Sequence, residues 1–359
     1  MICPDTDTKP IGIVLLAPFP PPYVGTTVSA LQLASFLESA PGVTLYRFDT
    51  MGVRGQGVRG VFRFLGLLLR AYRAARKADI VTLHCSTTAV HLVGLPMLCV
   101  ARLARRPFML RKFAGDDHRE RLGKLAAALA EWVLRRADRY LAQTKHLAAL
   151  AEERGFTQCT WFPTSRPTPP EDFAPRPPGG VCRNFVYVGR ICEVKGIHTL
   201  IEAAAALPPD IHIDLYGPWY DDTERTVFDA VPNLNYCGEL KPEEVLPTMA
   251  RYDASLLPTH WQGEGYPGAV IESYLAGLPV IASDWQAIPE IVDSGVGLLV
   301  PPRDPGALAA AMRRLAEDRA LYQELQSNTR AKARFFSSEH WGGYFVELCE
   351  TIVQRNQKR

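Results

Sequence analysis

The chain has 359 residues, 47% hydrophobic and 22% charged, with a net charge of +2. That length gives room for two ordinary domains, each with its own core, and the composition excludes a disordered chain. The near-neutral total conceals a split, since residues 1–165 carry 22 Lys and Arg against 12 Asp and Glu, and residues 166–359 carry 18 against 26. A basic first domain of this kind suits an anionic partner.

Residues 11–16, Ile-Gly-Ile-Val-Leu-Leu, predict a buried strand by run length and branching. A loop with Pro18, Pro20, Pro21 and Pro22 follows, then Gly25, then a helix over 28–37. Further short strands are expected over 43–48, 80–84, 108–111 and 139–142, with helical patterns between them. Such β-α alternation predicts a parallel sheet with helices on both faces. Seven basic residues lie between Arg54 and Lys77, and no acid occurs between Asp49 and Asp79. At helical spacing Arg59, Arg63, Arg70 and Lys77 share one face and Val61, Leu65, Leu68 and Tyr72 the opposite one. This is a basic amphipathic helix suited to anionic headgroups, or else a domain helix with a solvated basic face. The apolar stretch 89–103 is interrupted by His91, Pro96 and Arg102 and falls short of the ~18 residues a spanning helix needs, so it reads as a core helix. Ile2-Cys3-Pro4-Asp5 is polar and lacks a basic start, so no signal peptide is expected.

Residues 162–180 hold seven Pro and two Gly and mark a linker. Alternation then resumes, with strands expected over 184–188, 211–216, 234–237, 254–257, 279–282 and 297–300. Helices are expected over 197–206, 243–252, 268–276 and 305–317, and a last one over 339–354 after a break at Ser337-Ser338. The domains are accordingly 1–164, a linker 165–180, 181–336, and a terminal helix and tail 337–359. The eight Cys form no C-x-x-C and several sit in apolar runs such as Met97-Leu98-Cys99-Val100, which predicts buried, reduced thiols of a cytosolic protein. His84, His91, His146 and His260 show no metal-ligand spacing, and Asp116-Asp117 and Asp221-Asp222 resemble metal carboxylates only superficially. No metal and no cofactor are expected.

The most informative run is Glu264-Gly265-Tyr266-Pro267-Gly268-Ala269-Val270-Ile271-Glu272. It sets two carboxylates eight residues apart around a turn, and the apolar stretch beyond it stops at Gly277-Leu278-Pro279. Pro near the start and Gly past the end is the polarity of a short helix, with Glu264 in the loop before it and Glu272 inside it. A helix N-terminus favours an anion, and carboxylates accept from sugar hydroxyls. Together they describe a seat for a nucleotide sugar. Arg190 and Lys195 follow the strand-ending Gly189, where an Arg can hold a diphosphate bidentately and a Lys can add a mobile point charge, or else both are surface cations of a loop.

Glu-x7-Glu followed by Ala276-Gly277-Leu278-Pro279-Val280-Ile281-Ala282-Ser283 resembles the signature of glycosyltransferase family 4 (group 1), the retaining GT-B nucleotide-sugar enzymes. The likeness continues in Ile288-Pro289-Glu290-Ile291-Val292, in Gly297-Leu298-Leu299-Val300-Pro301 and upstream in Tyr187-Val188-Gly189-Arg190 with Lys195-Gly196. It is dense from about Phe185 to Leu315 and thin before Thr164. It implies an α/β GT-B fold: two Rossmann-like, doubly wound domains facing across a cleft, with the C-terminal helix crossing back to the first. It further implies that Glu272 accepts ribose hydroxyls and Glu264 holds a hydroxyl of the transferred sugar. Backbone N–H groups around Tyr266 to Ala269, in the turn that holds Pro267 and Gly268, would meet sugar and phosphate. Arg190 and Lys195 would stabilise the departing diphosphate. Gly25-Thr26-Thr27 stands where the family usually has two glycines, so Thr26 narrows that opening. Phe113 occupies the position of the family's usual His, which leaves Asp116, Asp117 and His118 as acceptor-side candidates.

The expected activity is transfer of a sugar from a nucleotide-diphosphate donor to an acceptor hydroxyl, on a lipid-linked glycan or polysaccharide precursor. It is placed in the cytoplasm, with peripheral contact to the inner face of an anionic membrane. Two alternatives stand beside it. One is a hydrolysing nucleotide-sugar epimerase of the same fold, although no Asp/Glu/His acid–base set is evident. The other is a non-catalytic nucleotide-sugar-binding partner subunit, motivated by Phe113 and Thr26. Nucleic-acid binding is not expected, because no recognition motif accompanies the charge.

Overall fold

A computed structural model describes residues 9–51, 57–220 and 231–358. Arg54 of the basic run, the Asp221-Asp222 pair and the polar Ile2-Cys3-Pro4-Asp5 lie outside the described residues. The chain divides into two compact units, Met1–Pro167 with Ser338–Arg359, and Thr168–Ser337.

The first unit is built on β1 (Ile11–Ala17), β2 (Val43–Asp49), β3 (Ile80–Ser86), β4 (Phe108–Phe113), β5 (Arg139–Ala142) and β6 (Cys159–Trp161). They form one parallel sheet in the order β2-β1-β3-β4-β5-β6. Strands covered on both faces are apolar throughout, whereas an edge strand is not. All of β1 is buried, while β2, at the edge, shows solvent at every other position or so. The helices are α1 (Gly25–Ser39), α2 (Gly57–Ala75), α3 (Thr87–Leu103), the one-turn α4 (His118–Arg121), α5 (Lys124–Arg136) and α6 (Lys145–Glu153). Helix α1 starts three residues before the expected 28, because Thr27 Oγ1 accepts from Val24 N at 3.0 Å and donates to Pro22 O at 2.6 Å. The three-residue β6 is too short to show as an apolar run. Helices α2, α3, α5 and α6 close one core over the sheet.

The second unit carries β7 (Asn184–Val188), β8 (His212–Tyr216), β9 (Leu234–Tyr236), β10 (Ala254–Leu257), β11 (Val280–Ser283) and β12 (Gly297–Val300). They form a second parallel sheet, β12-β11-β10-β7-β8-β9. Its helices are α7 (Ile197–Ala205), α8 (Pro242–Met249), α9 (Gly268–Leu275), α10 (Pro305–Glu317) and α11 (Arg319–Phe335). The sequence pattern did not announce α11. Its inward face is Tyr322, Leu325, Gln326 and Thr329, half of them polar, so the apolar periodicity is faint. Gln326 accepts from Gly179 N and donates to Pro177 O, which ties the Pro-rich linker to α11, and Tyr322 Oη donates to Asp253 O.

The last helix, α12 (Ser338–Gln357), belongs to the first unit, as the resemblance implied. Trp341, Phe345, Cys349 and Ile352 bury themselves with α1 in a core on the other face of the first sheet. Gly342 makes the close approach possible, since a Cβ there would stand 2.4 Å from the Phe36 ring. The seven described cysteines are free thiols. Cys99, expected to be buried, is exposed on α3, because its neighbours Met97, Leu98 and Val100 take the inward positions.

Candidate active site

In an open α/β sheet, ligands bind outside the C-terminal strand ends where the strand order reverses. In the second sheet that point lies between β7 and β10. Gly189 and Arg190 leave the end of β7 and lead to a short 3₁₀ turn, Glu193–Lys195. Residues 258–264 leave the end of β10. Gly196 lets the two loops touch. It sits at φ +80°, and a Cβ there would lie 1.9 Å from Pro258 O, so no other residue fits without moving the backbone. His260 N then donates to Val194 O at 3.0 Å and clips the loops together.

This brings together side chains that are 69 residues apart in sequence. Lys195 Nζ donates to Glu264 Oε2 at 2.5 Å, and Thr259 Oγ1 donates to the same oxygen at 2.8 Å. The Lys195 and Glu264 side chains are only 12% and 6% exposed, so this is a buried pair. Trp261 lies beneath both cations, with Lys195 Nζ 4.8 Å and the Arg190 guanidinium carbon 5.3 Å from its ring centroid. Arg190 also stands 5.7 Å from the Tyr220 ring. Trp285 Nε1 donates to Trp261 O at 2.9 Å and holds the platform in place. A cation over an indole face is favoured electrostatically, most where water is excluded.

Four residues beyond Glu264, α9 begins with Pro267 as its N-cap. The first N–H groups of a helix have no acceptor within it, and here they belong to Gly268 and Ala269. Glu272 is half-buried one turn further along. Helical side chains lean toward the N-terminus, so its carboxylate lies over the turn that opens at Gly268. Tyr266 is buried, with its hydroxyl donating to Glu290 Oε2 at 2.5 Å and its ring edge-on to Phe336. Its side chain is therefore committed to packing within the second unit.

In the first sheet the order reverses between β1 and β3, and the loop after β1 leads to Gly25 and Thr26. Both lie in the first turn of α1, and no atom lies within 4 Å of a Cβ built on Gly25. The loop after β4 holds a tightly partnered cluster. Lys112 Nζ donates to Asp116 O at 2.8 Å, Thr87 Oγ1 to Asp116 Oδ1 at 3.2 Å and Arg121 to Asp116 Oδ2 at 3.0 Å. Asp117 receives both ends of the Arg154 guanidinium, at 3.0 and 2.5 Å, and caps α4 through Arg119 N. Burial alone would raise the Asp117 carboxyl, but Arg154, the Arg119 N–H and His118 outweigh it and pull it down to about 2. Burial, with Lys112 nearby, lowers His118 to about 4, so its imidazole is neutral at neutral pH. Phe113 is buried, with Arg111 stacked 4.6 Å from its ring centroid and His84 edge-on. Burial lowers Lys112 to about 8 and Arg111 to about 9.

Thr259, Trp261, Trp285 and Tyr220 were not picked out from the sequence. The available signal was Thr259-His260-Trp261 standing between a strand end and Glu264, an aromatic too close to charge to be plain core. Among the described residues no three His, Cys, Asp or Glu side chains gather into a metal-binding group.

Family models match both halves, "Glycosyl transferase 4-like domain" over residues 14–160 and "Glycosyl transferases group 1" over residues 182–318. The chain belongs to the group 1 glycosyltransferases. Among curated relatives, glycogen synthase of Mycobacterium tuberculosis is 31% identical over 181 residues, 47% of this chain and 42% of that protein. The amylovoran biosynthesis glycosyltransferase AmsK of Erwinia amylovora is 34% identical over 170 residues, 44% of this chain and 41% of that protein. The chain thus spans less than half the length of these curated relatives. The fold is similar to that of Anabaena HepE in complex with UDP, with a TM-score of 0.74 at 17% identity over 95% of this chain and all of that one. Sucrose-phosphate synthase from Thermosynechococcus elongatus gives 0.72 at 18% identity over 96% of this chain and all of that one. These likenesses establish the two doubly wound α/β units of a GT-B glycosyltransferase.

Proposed function

We propose that this group 1 glycosyltransferase moves a hexose from a nucleotide-diphosphate sugar to an acceptor hydroxyl, with retention at the anomeric carbon and without a metal ion. The observation that carries the reading is the convergence of Arg190, Lys195 and Glu264 around Trp261 at the sheet's switch point. Arg190 and Lys195 hold the diphosphate, and the N–H groups opening α9 take a phosphate or sugar oxygen. Glu272 accepts the ribose hydroxyls. Glu264, its Oε2 fixed by Lys195 and Thr259, orients a hydroxyl of the transferred sugar.

In the transfer, the bond between the anomeric carbon and the diphosphate oxygen breaks, and negative charge builds on the leaving group. Two fixed cations stabilise that charge more in the transition state than in the bound donor, and that difference is what lowers the barrier. The acceptor oxygen bonds to the anomeric carbon on the face the diphosphate leaves, and its proton passes to the departing phosphate. The products are the glycoside and the nucleoside diphosphate. Glycogen synthase and the amylovoran enzyme, among the relatives, support a polysaccharide or lipid-linked glycan acceptor.

A panel of nucleotide sugars tests the reading. The true donor at ~100 times its dissociation constant should add ~2.7 kcal/mol of stability. With acceptor present, the glycoside should keep the donor's anomeric configuration by NMR, and turnover should survive a chelator. Release of free epimerised sugar, or an inverted product, would overturn it.

A further inference from the structure

Helix α2 buries a face that its sequence does not advertise. Its core contacts come from Gly60, Leu67, Ala71, Ala74 and Ala75, mostly small residues that let the helix lie close to the sheet. The larger apolar residues Val58, Val61, Phe62, Leu65 and Leu69 point away from the core, each half or more exposed, with Val58 at 74% and Phe62 at 69%. Their spacing of three, four, seven and eleven from Val58 makes them one continuous stripe. Five large apolar side chains in a row are not the scattered surface residues of an ordinary helix. Along one flank of the stripe run Arg59, Arg63, Arg70 and Arg73, all exposed, followed by Lys77. No acidic residue interrupts the chain from 50 to 78.

We propose that α2 seats the protein on an anionic phospholipid surface, its apolar stripe among the acyl chains and its cationic flank on the headgroups. An interfacial helix has this construction, with a strong apolar face, Lys and Arg beside it and low overall hydrophobicity. The charge decides between a lipid surface and a second copy of the chain. Two α2 stripes packed antiparallel about a two-fold would set arginine beside arginine, whereas anionic headgroups complement them. Among the described residues no helix is long and apolar enough to cross a membrane.

The test is co-sedimentation of the full chain with vesicles of phosphatidylcholine alone or of equal phosphatidylcholine and phosphatidylglycerol. The wild type should partition onto the anionic vesicles at least ~tenfold more strongly, and added salt should weaken it. Phe62→Asp/Leu65→Asp should lower that partition ~tenfold or more, and Arg59→Gln/Arg70→Gln should do likewise. All four positions are exposed, so melting curves and nucleotide affinity should match the wild type, which separates this outcome from a failure of the sugar-transfer reading. Equal binding to both vesicle types overturns the proposal. So does unchanged binding by the Phe62→Asp/Leu65→Asp variant, which would leave only diffuse electrostatics. A wild-type dimer in light scattering that this variant dissociates, without vesicle binding, assigns the stripe to self-association instead.

Discussion

Removing one member of the Lys195–Glu264 pair should destabilise the second unit more than the properties of either residue alone account for. The two charges stand 2.5 Å apart with side chains 12% and 6% exposed. Stranding one member of such a buried pair costs ~3–5 kcal/mol. In Lys195→Met the Thr259 hydroxyl still reaches Glu264, and a hydrogen bond to a charged group offsets ~1.5–3 kcal/mol of that. A net loss of ~2 kcal/mol is therefore expected, and a similar one for Glu264→Gln. Lys195→Met/Glu264→Gln removes both charges at once, so it should be less destabilised than the two single losses added, by ~1–3 kcal/mol. For a unit the size of Thr168–Ser337, each kcal/mol shifts the midpoint by ~2–4 °C, which puts each single variant ~4–8 °C below wild type. Differential scanning calorimetry on the three variants and wild type reads the cycle directly. Additivity within ~0.5 kcal/mol would refute the buried pair, and with it the claim that Lys195 fixes Glu264 for catalysis.

Glu272→Ala should weaken nucleoside-diphosphate binding by ~tenfold or more in calorimetric titration, whereas Glu264→Ala should spare it and damage transfer; the opposite pattern would exchange their roles. Acid should loosen the first unit in two steps. His118 has a folded value near 4 against an ordinary 6.5, so the unfolded chain takes up its proton first as pH falls, and ~3 kcal/mol present above pH 6.5 is lost on the way to 4. Asp117, held near 2, adds stability that is present above its ordinary 3.8 and goes only as pH falls further toward 2. Urea titrations across pH should show the first slope flattened in His118→Gln, though not abolished, because burial lowers His84 in the same direction. Asp253 is buried and accepts from Arg183 N, Asn184 N, Asn184 Nδ2 and the linker's Arg176, so Asp253→Ala should cost the second unit ~3–5 kcal/mol in the same denaturation assay.

What the sequence disclosed, and what it hid, follows from how far apart the interacting residues are. Strands such as β1 and β10 are apolar runs between turn residues, and local pattern suffices for them. The stretch from Glu264 to Pro279 carries its own helix start and stop, so α9 and the carboxylates on either side of its first turn were legible too. The partners of those carboxylates were not. Thr259 and Trp261 matter because Gly196 lets a second loop close on them, and a contact across 69 residues leaves no local periodicity. The same holds for Asp117, which reads as a solvated loop acid until Arg154, 37 residues on, clamps it. In α2 the periodicity was visible and still did not say which face is buried. Spacing groups Val61 with Leu65, but the sheet accepts Gly60 and Ala71 because small residues allow closer packing.

Phe113 shows how such hidden packing bears on the chemistry. The position where the family resemblance leads one to expect His is here a buried ring with Arg111 stacked on it. The nearest imidazole, His84, is fully buried against that ring, and neither of its nitrogens has a hydrogen-bond partner among the described residues. Burial and the Arg111 charge both hold His84 well below its ordinary value, so it is neutral, but its nitrogens do not reach solvent. His118 is neutral as well, and its ring is wedged between Asp117 and Glu131. Neither imidazole is thus arranged to take a proton from an incoming hydroxyl. The mechanism proposed above asks neither of them for a base, since it sends the acceptor's proton to the departing phosphate.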